Sequence, residues 1–313
     1  MNISRPLLLT AILTISFATP SYSEQQGTPK RLLVANTSKW AIIAPDDSIE
    51  REMKVGGLHD ASLLPNGNIL CQNGWTKTQE ISPDGKVVWE YDSATANGNV
   101  GTKVEVHAIQ RLPNGNTLIA ESGPKRLIEV DAQGAIQHII PLTVEKPNPH
   151  RDTRLVRKTI SGTYLVAHEG DGKVREYDQS GKVIWDFEIP LTKPIANGHG
   201  PEAYGNAVYS AVRLENGNTL IGTGNGHTVL EVTPYKNIVW KIEQDDLPNI
   251  KLAWVTFVER LPNGNTLIGN CHAGPNMPLS IEVTPKKEVV WTLNDFQRFG
   301  NSTVLVVPLP QKQ

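Results

Sequence analysis

The chain has 313 residues, a formal net charge of −2, and 20% charged and 39% hydrophobic residues. This near-neutral balance argues against electrostatic attraction to nucleic acid or to an anionic membrane surface as the basis of its function. The length fits either two domains or one large β fold. Because Cys71 and Cys271 are the only cysteines, the chain is not a disulfide scaffold, although one bond between them stays open.

The first 23 residues have the pattern of a secretory signal. Arg5 precedes an apolar run at residues 7–17 that is too short to span a bilayer, and small residues end at Ser23. We therefore expect residues 1–23 to be a signal peptide. Residues 24–313 are then expected in the periplasm or outside the cell, without membrane insertion.

An internal repeat organises the remaining chain. Leu-Pro-Asn-Gly-Asn occurs three times, Leu-Glu-Asn-Gly-Asn occurs once, and a degenerate copy fills the gap between them. The anchor glycines lie 47, 48 or 55 residues apart, which is the length of a four-stranded propeller blade; they are Gly67, Gly115, Gly162, Gly217 and Gly264. Because Asn-Gly accepts positive φ angles, we expect a type I′ hairpin turn between the first two strands of each blade.

Five complete units follow one pattern, and a sixth is split between the chain termini. Third strands are predicted at residues 78–81, 127–130, 174–177, 229–232 and 280–283, and outer strands carry Trp89, Trp185, Trp240 and Trp291. Segments 31–35, 40–44 and 49–55 supply three strands of the sixth unit, and segment 303–310 supplies its first. The sequence therefore predicts an all-β fold, a single six-bladed β-propeller over residues 24–313. Its last blade is closed by N-terminal strands plus the C-terminal strand.

Residues that recur at the same place in every repeat unit are expected to stabilise the blade rather than to form a functional site. Glutamates recur on the third strand of the repeat: Glu80, Glu129, Glu176, Glu231 and Glu282. Basic residues recur near the end of the first strand: Arg111, Lys158, Arg213 and Arg260. We predict that they form structural charge ladders rather than catalytic carboxylate pairs. The outer-strand tryptophans are predicted to pack in the core and between blades.

Residues that differ between units mark the candidate site. The residues eight positions before the anchor glycines, with Val304 in the split blade, are expected to ring the mouth of the central channel opposite the Asn-Gly turns; they are His59, His107, Arg154, Tyr209 and Thr256. Loops on the same face add Trp75, Glu121, Glu169, His168, His199, His227 and His272. We assign catalytic roles to His59, His107 and Arg154. We assign substrate binding to Tyr209, His168, His199, His227 and His272.

Three kinds of chemistry fit these residues. A neutral imidazole can attack electrophilic sulfur or phosphorus while Arg154 stabilises the negative oxygen. Two or three imidazoles can bind copper, zinc or nickel, although no local spacing assigns metal ligands. A polar surface can also recognise a carbohydrate or a protein without catalysis. We therefore expect a monomer that binds a small anionic or phenolic ligand, or else a carbohydrate or protein, with no cofactor assigned and a metal ion left open.

A family resemblance adds to these inferences. His59-Asp60 followed by residues 64–68 resembles a motif of arylsulfotransferase-like propellers. Gly-Lys-Val-Val-Trp at 85–89 and Gly-Lys-Val-Ile-Trp at 181–185 resemble repeats of pyrroloquinoline-quinone-type propellers. Together the patterns cover nearly all of the mature chain.

The two resemblances have different implications for activity. The first implies transfer of a sulfuryl group between phenols through a channel-face histidine, with roles for His59, His107 and Arg154. We expect the chain to depart from the bacterial enzymes by lacking their extra N-terminal domain. Quinoprotein dehydrogenases usually have eight blades and a vicinal disulfide. Six predicted blades and no adjacent cysteines therefore argue against a quinone cofactor here.

Overall fold

The computed structural model describes residues 24–311, so the predicted signal peptide lies outside the described residues. The first strands are β1 (Gln25–Gln26), β2 (Arg31–Asn36), β3 (Lys39–Ile43) and β4 (Ile49–Lys54). The first two complete repeats form β5 (Ala61–Leu63), β6 (Ile69–Asn73), β7 (Lys77–Ile81), β8 (Val87–Asp92), β9 (Glu105–Arg111), β10 (Thr117–Ser122), β11 (Arg126–Val130) and β12 (Ile136–Pro141).

The second half of the chain repeats this pattern. The third and fourth repeats form β13 (Val156–Lys158), β14 (Tyr164–His168), β15 (Lys173–Tyr177), β16 (Val183–Glu188), β17 (Ser210–Arg213), β18 (Thr219–Gly222), β19 (Val229–Val232) and β20 (Ile238–Ile242). The chain continues with β21 (Val258–Arg260), β22 (Thr266–Gly269), β23 (Ser280–Val283), β24 (Val289–Leu293), α1 (Phe296–Phe299) and β25 (Thr303–Leu309). Within residues 24–311, no helix is long and apolar enough to cross a bilayer.

These strands form six antiparallel sheets, which confirms the six-bladed propeller. Five blades are continuous in sequence, and the sixth has the strand order β25-β2-β3-β4. In this blade Leu33 pairs with Val307 and Val34 with Val306, so the predicted closure by both termini is confirmed. The N-terminal strand β1 also pairs with β24 and adds a fifth strand to the preceding blade, which the repeat pattern did not predict.

The turn between the first two strands of each blade differs from the prediction. In the second blade the Gly115 N–H donates to the Leu112 carbonyl over 2.9 Å, which makes Pro113 and Asn114 the central residues. Gly115 follows them with a φ of 89°, whereas Asn114 is not among the residues with positive φ. The type I′ prediction was therefore wrong, because that turn needs positive φ at both central residues and proline fixes a negative φ.

The predicted charge ladder joins neighbouring blades. Glu80 accepts hydrogen bonds from Asn66 at 3.1 Å and Asn68 at 2.6 Å, and it pairs with Arg111 of the next blade at 2.7 Å. The Arg111 guanidinium lies 5.5 Å from the centre of the Trp89 ring. Equivalent ion pairs are Lys158–Glu129, Arg213–Glu176, Arg260–Glu231 and Lys30–Glu282. The asparagines of the repeat motif thus hold the carboxylate that ties two blades together.

The outer-strand tryptophans contribute to the same contacts between blades. Trp89, Trp185 and Trp240 each donate their indole N–H to a backbone carbonyl of the next blade, over 3.0 Å. These three side chains are partly exposed, whereas Trp291 is buried. The predicted packing between blades is therefore confirmed, but the predicted place in the core holds for Trp291 alone among the four.

Most of the hydrophobic core lies between adjacent blades. One cluster joins Leu33 and Ile42 of the split blade to Ile69 and Cys71 of the next blade. Cys71 and Cys271 are both free and buried, so the disulfide that the sequence left open does not form. Each blade therefore depends on its two neighbours for burial, and an open ring would expose apolar surface.

The ladder predicts a loss of stability in acid. Burial acts to raise the pKa of Glu80, Glu231 and Glu282, but asparagine hydrogen bonds and the paired cation hold it below the usual value of 4.5. A folded-state pKa below the unfolded value adds stability at higher pH, and this contribution is lost as the pH falls through the folded pKa. We expect the free energy of unfolding in denaturant to fall below about pH 4.5. Glu231→Gln should make the free energy of unfolding depend less steeply on pH in this range. Glu215→Gln, which alters an exposed side chain, should leave that dependence unchanged. The same pH dependence in both variants would contradict the role of the ladder.

Truncation tests the closure of the ring. Val304, Leu305 and Val306 of β25 are buried, with exposures of 4%, 7% and 0%. Deleting every residue after Asn301 removes this burial and leaves the edge of β2 unpaired, which should cost about 5 kcal/mol or more at ordinary transfer energies. Thermal melting of the mature protein with and without the strand measures the difference. Equal melting temperatures would mean that β25 does not close the ring.

Candidate functional site

A cavity of about 750 Å³ lies on the face opposite the glycine turns, and we call it the top-face cavity. Five of the six predicted ring positions line it: His59, Arg154, Tyr209, Thr256 and Val304. His107, the sixth, is only 1% exposed and lies behind His59, with the two imidazole ring centres 4.8 Å apart. The equivalent positions of the repeat therefore converge, as expected from the symmetry of a propeller.

Two imidazoles and one guanidinium meet at the wall of this cavity. His59 Nδ1 lies 2.8 Å from His107 Nδ1. Arg154 Nη1 lies 3.2 Å from the first of these nitrogens and 3.1 Å from the second. A contact of 2.8 Å between two ring nitrogens needs one of them to donate a proton and the other to accept it. The tautomers of the two histidines are therefore coupled.

Arg154 is held by a carboxylate and an aromatic ring. Its Nε donates to Glu169, and Glu169 also accepts from Arg151 Nε at 2.8 Å. The guanidinium carbon lies 5.2 Å from the centre of the Tyr209 ring. Because Nε donates a hydrogen bond to Glu169, the Nη1 group is directed at the two histidines. These contacts hold the Arg154 side chain in one orientation.

The electrostatic environment keeps both imidazoles neutral. Burial, reinforced by His107 and Arg154, lowers the pKa of His59 well below its usual value. Burial and Arg154 lower the pKa of His107 to about 3, although Glu105 acts in the opposite direction. Burial raises the pKa of Tyr209, so its hydroxyl is neutral as well. A neutral imidazole is the form that can attack an electrophile or accept a proton.

Asp60, which follows His59 in the motif, has a positioning role. Gln72 Oε1 accepts the backbone N–H groups of His59 at 2.6 Å and Asp60 at 3.0 Å. The Asp60 carboxylate is buried and forms a two-point ion pair with Arg157 at 2.7 and 2.9 Å. It also accepts the Ile109 N–H at 3.0 Å. Because its oxygens are occupied in this way, Asp60 fixes the backbone of two blades rather than the ring of its neighbour.

Glu105 and His150 extend the histidine pair, and neither was predicted to be a site residue. Glu105 Oε2 lies 2.6 Å from His150 Nδ1 and 3.3 Å from His107 Nε2. Burial acts to raise the pKa of Glu105, but contacts with the two histidines lower it to about 2. One ligand atom from each of Glu105, His107 and His150 lies within 4.8 Å of the others, so the cluster can hold a metal ion. His150 lies in a long connection outside the repeat, so no repeat position could have revealed it.

The opposite wall of the cavity is aromatic. His199 and His272 line it together with Trp254, and the His199 ring centre lies 4.9 Å from that of Trp254 and 5.1 Å from that of His272. Burial and the neighbouring His199 lower the pKa of His272. Trp75 lies on the other side, in edge contact with His59 at 5.1 Å. A planar ring can therefore pack between aromatic side chains inside the cavity.

Two of the predicted substrate-binding histidines lie away from the cavity. His168 is fully buried, with Nδ1 2.7 Å from the Asp152 carbonyl and Nε2 2.8 Å from the Tyr177 hydroxyl. His227 is also fully buried, and its ring bridges the carbonyls of Ala203 and Ala253. We expected both on open loops at the channel mouth. Both rings are instead buried, where they form hydrogen bonds with backbone carbonyls and, for His168, with a tyrosine hydroxyl.

A larger cavity of about 1100 Å³ opens on the turn face. Aliphatic side chains such as Leu63, Leu155 and Leu305 line much of it. Its two arginines are already paired, Arg157 with Asp60 and Arg213 with Glu176. The top-face cavity has the neutral histidines and the cation directed at them, and it is therefore the better candidate for chemistry.

The fold and the cavity define a six-bladed propeller with one polar site at the mouth of its channel. The chain belongs to the family of PQQ-like propellers described as "Outer membrane protein assembly factor BamB", whose sequence profile matches residues 45–263. This confirms the quinone-type repeat resemblance, while the arylsulfotransferase resemblance rests on motif residues alone. No curated protein matches the chain.

Solved structures share the architecture. A protein of unknown function from Bacteroides caccae is 24% identical, with a TM-score of 0.75 over 90% of this chain and 100% of that one. Catalytically inactive virginiamycin B lyase from Staphylococcus aureus, solved with quinupristin, is 13% identical, with a TM-score of 0.57 over 87% of this chain and 86% of that one. A Lactobacillus plantarum protein is 12% identical, with a TM-score of 0.58 over 90% and 88%. At these identities the likeness shows the fold alone.

The placement of the histidines predicts which of them stabilise the fold. His227→Ala removes the imidazole that bridges two buried carbonyls and leaves at least one of them without a donor, so it should destabilise the protein by about 2 kcal/mol. His168→Ala should act in the same direction. His199 is exposed, so His199→Ala should melt within a degree or two of the unaltered protein. Thermal unfolding followed by circular dichroism makes the comparison, and a His227→Ala protein as stable as His199→Ala would contradict these roles.

Proposed function

We propose that the top-face cavity binds an anionic aryl ester and that His59 transfers its sulfuryl group to a phenol. The observation that supports this best is the convergence of His59, His107 and Arg154 at one wall of the cavity. A dispersed rim would have favoured a scaffold that binds carbohydrate or protein. Convergence of two neutral imidazoles with a fixed cation favours a small molecule.

The charge and shape of the cavity support an anionic aromatic ligand. Among the described residues that line it, Lys146, Arg151 and Arg154 provide three permanent positive charges against the one carboxylate of Glu169. This excess favours sulfate, phosphate or carboxylate groups. Trp254 and Tyr209 supply aromatic surface for the ring of the ligand. Tyr209, His199 and His272 are accordingly proposed to bind substrate.

The tautomers support His59 as the nucleophile. The carboxylate of Glu105, 3.3 Å from His107 Nε2, favours a proton on that nitrogen. His107 Nδ1 then accepts a proton from His59 Nδ1 across the 2.8 Å contact. This leaves a lone pair on His59 Nε2, the ring nitrogen that neither His107 nor Arg154 contacts. Glu105 and His107 thus position the tautomer of His59, much as a carboxylate orients the histidine of a hydrolase.

Group transfer follows in two balanced steps. His59 Nε2 attacks the sulfur of the aryl ester, a nitrogen–sulfur bond forms, and the sulfur–oxygen bond breaks so that the phenolate leaves with its electron pair. A second phenol then attacks the sulfur through its oxygen, the nitrogen–sulfur bond breaks, and the lone pair returns to Nε2. The phenol's proton passes to water or to the departed phenolate. Arg154, Arg151 and Lys146 stabilise the negative oxygens on sulfur in both steps.

We further propose that the protein acts outside the cytoplasm as a monomer. The signal pattern predicted for residues 1–23 supports export. The family description, which concerns an outer-membrane assembly factor, is consistent with such a location. A soluble phenolic or sulfated substrate in that compartment would reach the cavity without crossing a membrane.

Transfer from 4-nitrophenyl sulfate to phenol tests this function. The mature protein should release 4-nitrophenolate and form phenyl sulfate, measured by absorbance and by chromatography. His59→Ala should lower the rate at least about a hundredfold. Arg154→Lys should lower it about a hundredfold, because one ammonium group cannot contact Glu169 and both histidines together.

The exposed His138 on β12 supplies the matched control. His138→Ala should retain the full rate, and melting curves should show that all variants are folded. A mature protein that neither binds nor cleaves 4-nitrophenyl sulfate would overturn the proposal. A folded His59→Ala protein with an unchanged rate would overturn the role of His59 as the nucleophile.

A further inference from the structure

One nitrogen beside the site has no hydrogen-bond partner. His107 is 1% exposed, and its Nε2 is buried without a hydrogen bond. This nitrogen lies 3.3 Å from Glu105 Oε2 without forming a hydrogen bond to it, and it belongs to the cluster with His150. An unsatisfied buried polar atom destabilises the folded protein unless something binds it. Metal coordination is one way in which a neutral imidazole nitrogen is satisfied.

We propose that Glu105, His107 and His150 bind one zinc-type divalent ion, and that this ion moves the proton shared by the histidine pair onto His107. The second half of the proposal rests on the proposed role of His59, because it sets which form of His59 faces the substrate. The ion would therefore control the chemistry of the cavity.

The donor set suits a borderline transition metal. Two imidazoles and one carboxylate with an open fourth position are typical of zinc sites in which water or substrate takes that position. Glu105 and His107 are buried and fixed, whereas the His150 side chain is 47% exposed. His150 can therefore move outwards to lengthen its 2.6 Å contact with Glu105 and admit the ion. Because His150 also lines the top-face cavity, the ion has a path from solvent.

Occupancy of the site reverses the tautomer of the pair. A metal ligand uses a lone pair, so His107 must carry its proton on Nδ1 when Nε2 binds the ion. That proton then lies on the 2.8 Å contact and is donated to His59 Nδ1, which Arg154 Nη1 also approaches at 3.2 Å. The ion displaces the proton of His107 Nε2 to water, and His59 takes up a proton from water on Nε2, so both imidazoles stay neutral. The ion thus changes His59 from a nucleophile to a hydrogen-bond donor.

One neighbouring charge opposes the ion. Lys103 Nζ lies 3.3 Å from Glu105 Oε1, and the lysine side chain is 70% exposed. Lys103→Met removes this repulsion without touching a ligand, so it should tighten zinc binding. The direction of this change separates a site at Glu105 from binding elsewhere on the surface.

Calorimetric titration of the metal-stripped mature protein with zinc chloride tests the site. We expect one ion per chain, tighter binding in Lys103→Met, and binding weakened by more than about tenfold in His150→Ala and Glu105→Gln. His150→Ala alters an exposed side chain, so it should fold even if the buried Glu105 variant does not. His138→Ala should bind zinc like the unaltered protein. Absence of binding, or equal binding in the His150 and His138 variants, would overturn the site.

Nuclear magnetic resonance of protein labelled with ¹⁵N-histidine tests the tautomer change. Nitrogen shifts distinguish a ring that carries its proton on Nδ1 from one that carries it on Nε2. Zinc should move the His59 proton to Nε2 in the unaltered protein and leave it on Nδ1 in His150→Ala. Bound zinc with no change at His59 would overturn the coupling. These readouts need no turnover, so a protein that binds zinc but transfers no sulfate refutes the proposed function and not this site.

Discussion

The pairing of β25 with β2 is the constraint on which the rest of the molecule depends. It joins the two ends of the chain in one sheet, with Arg31 opposite Leu309 and Leu33 opposite Val307. Because each blade buries its apolar face against its neighbours, an open ring would leave two faces exposed. Closure also fixes the radius of the ring, and the radius brings equivalent positions of different blades within hydrogen-bonding distance at the channel mouth.

The same repeat that builds the scaffold creates the site. Each blade begins its first strand at the channel, so six positions converge whatever residues occupy them. Thr256 and Val304 fill two of these positions without any special chemistry, while His59 and Arg154 fill two others. Side chains outside the repeat then orient the reactive groups: Glu169 holds Arg154, and Glu105 faces the buried edge of His107. The candidate site therefore depends on the irregular residues of a regular fold.

Burial links the structural and chemical properties of the histidines. Removal from water favours the neutral imidazole, and the adjacent guanidinium of Arg154 adds to this effect for both His59 and His107. Where buried histidines meet carbonyls, as His227 does, they tie loops together. Where they meet each other and a cation, as His59 and His107 do, the position of one proton decides which ring nitrogen keeps a lone pair. The same residue type therefore has opposite roles a short distance apart.

The sequence alone determined the fold, because a blade is a local unit whose turns, strand alternation and Glu–Arg contacts recur at a fixed interval. The same repeat length also indicates which residues surround the channel. The spacing was therefore enough to place His59, Arg154 and Tyr209 at the channel mouth. Other features depend on the tertiary structure, because the repeat length carries no information about them. His150 and β1 lie outside the repeat, and the burial of His168 and His227 depends on neighbouring loops. The turn geometry, by contrast, is local, because the proline that excludes a type I′ turn stands in the repeat motif itself. Long-range packing fixed the other features, and no single repeat unit contains it.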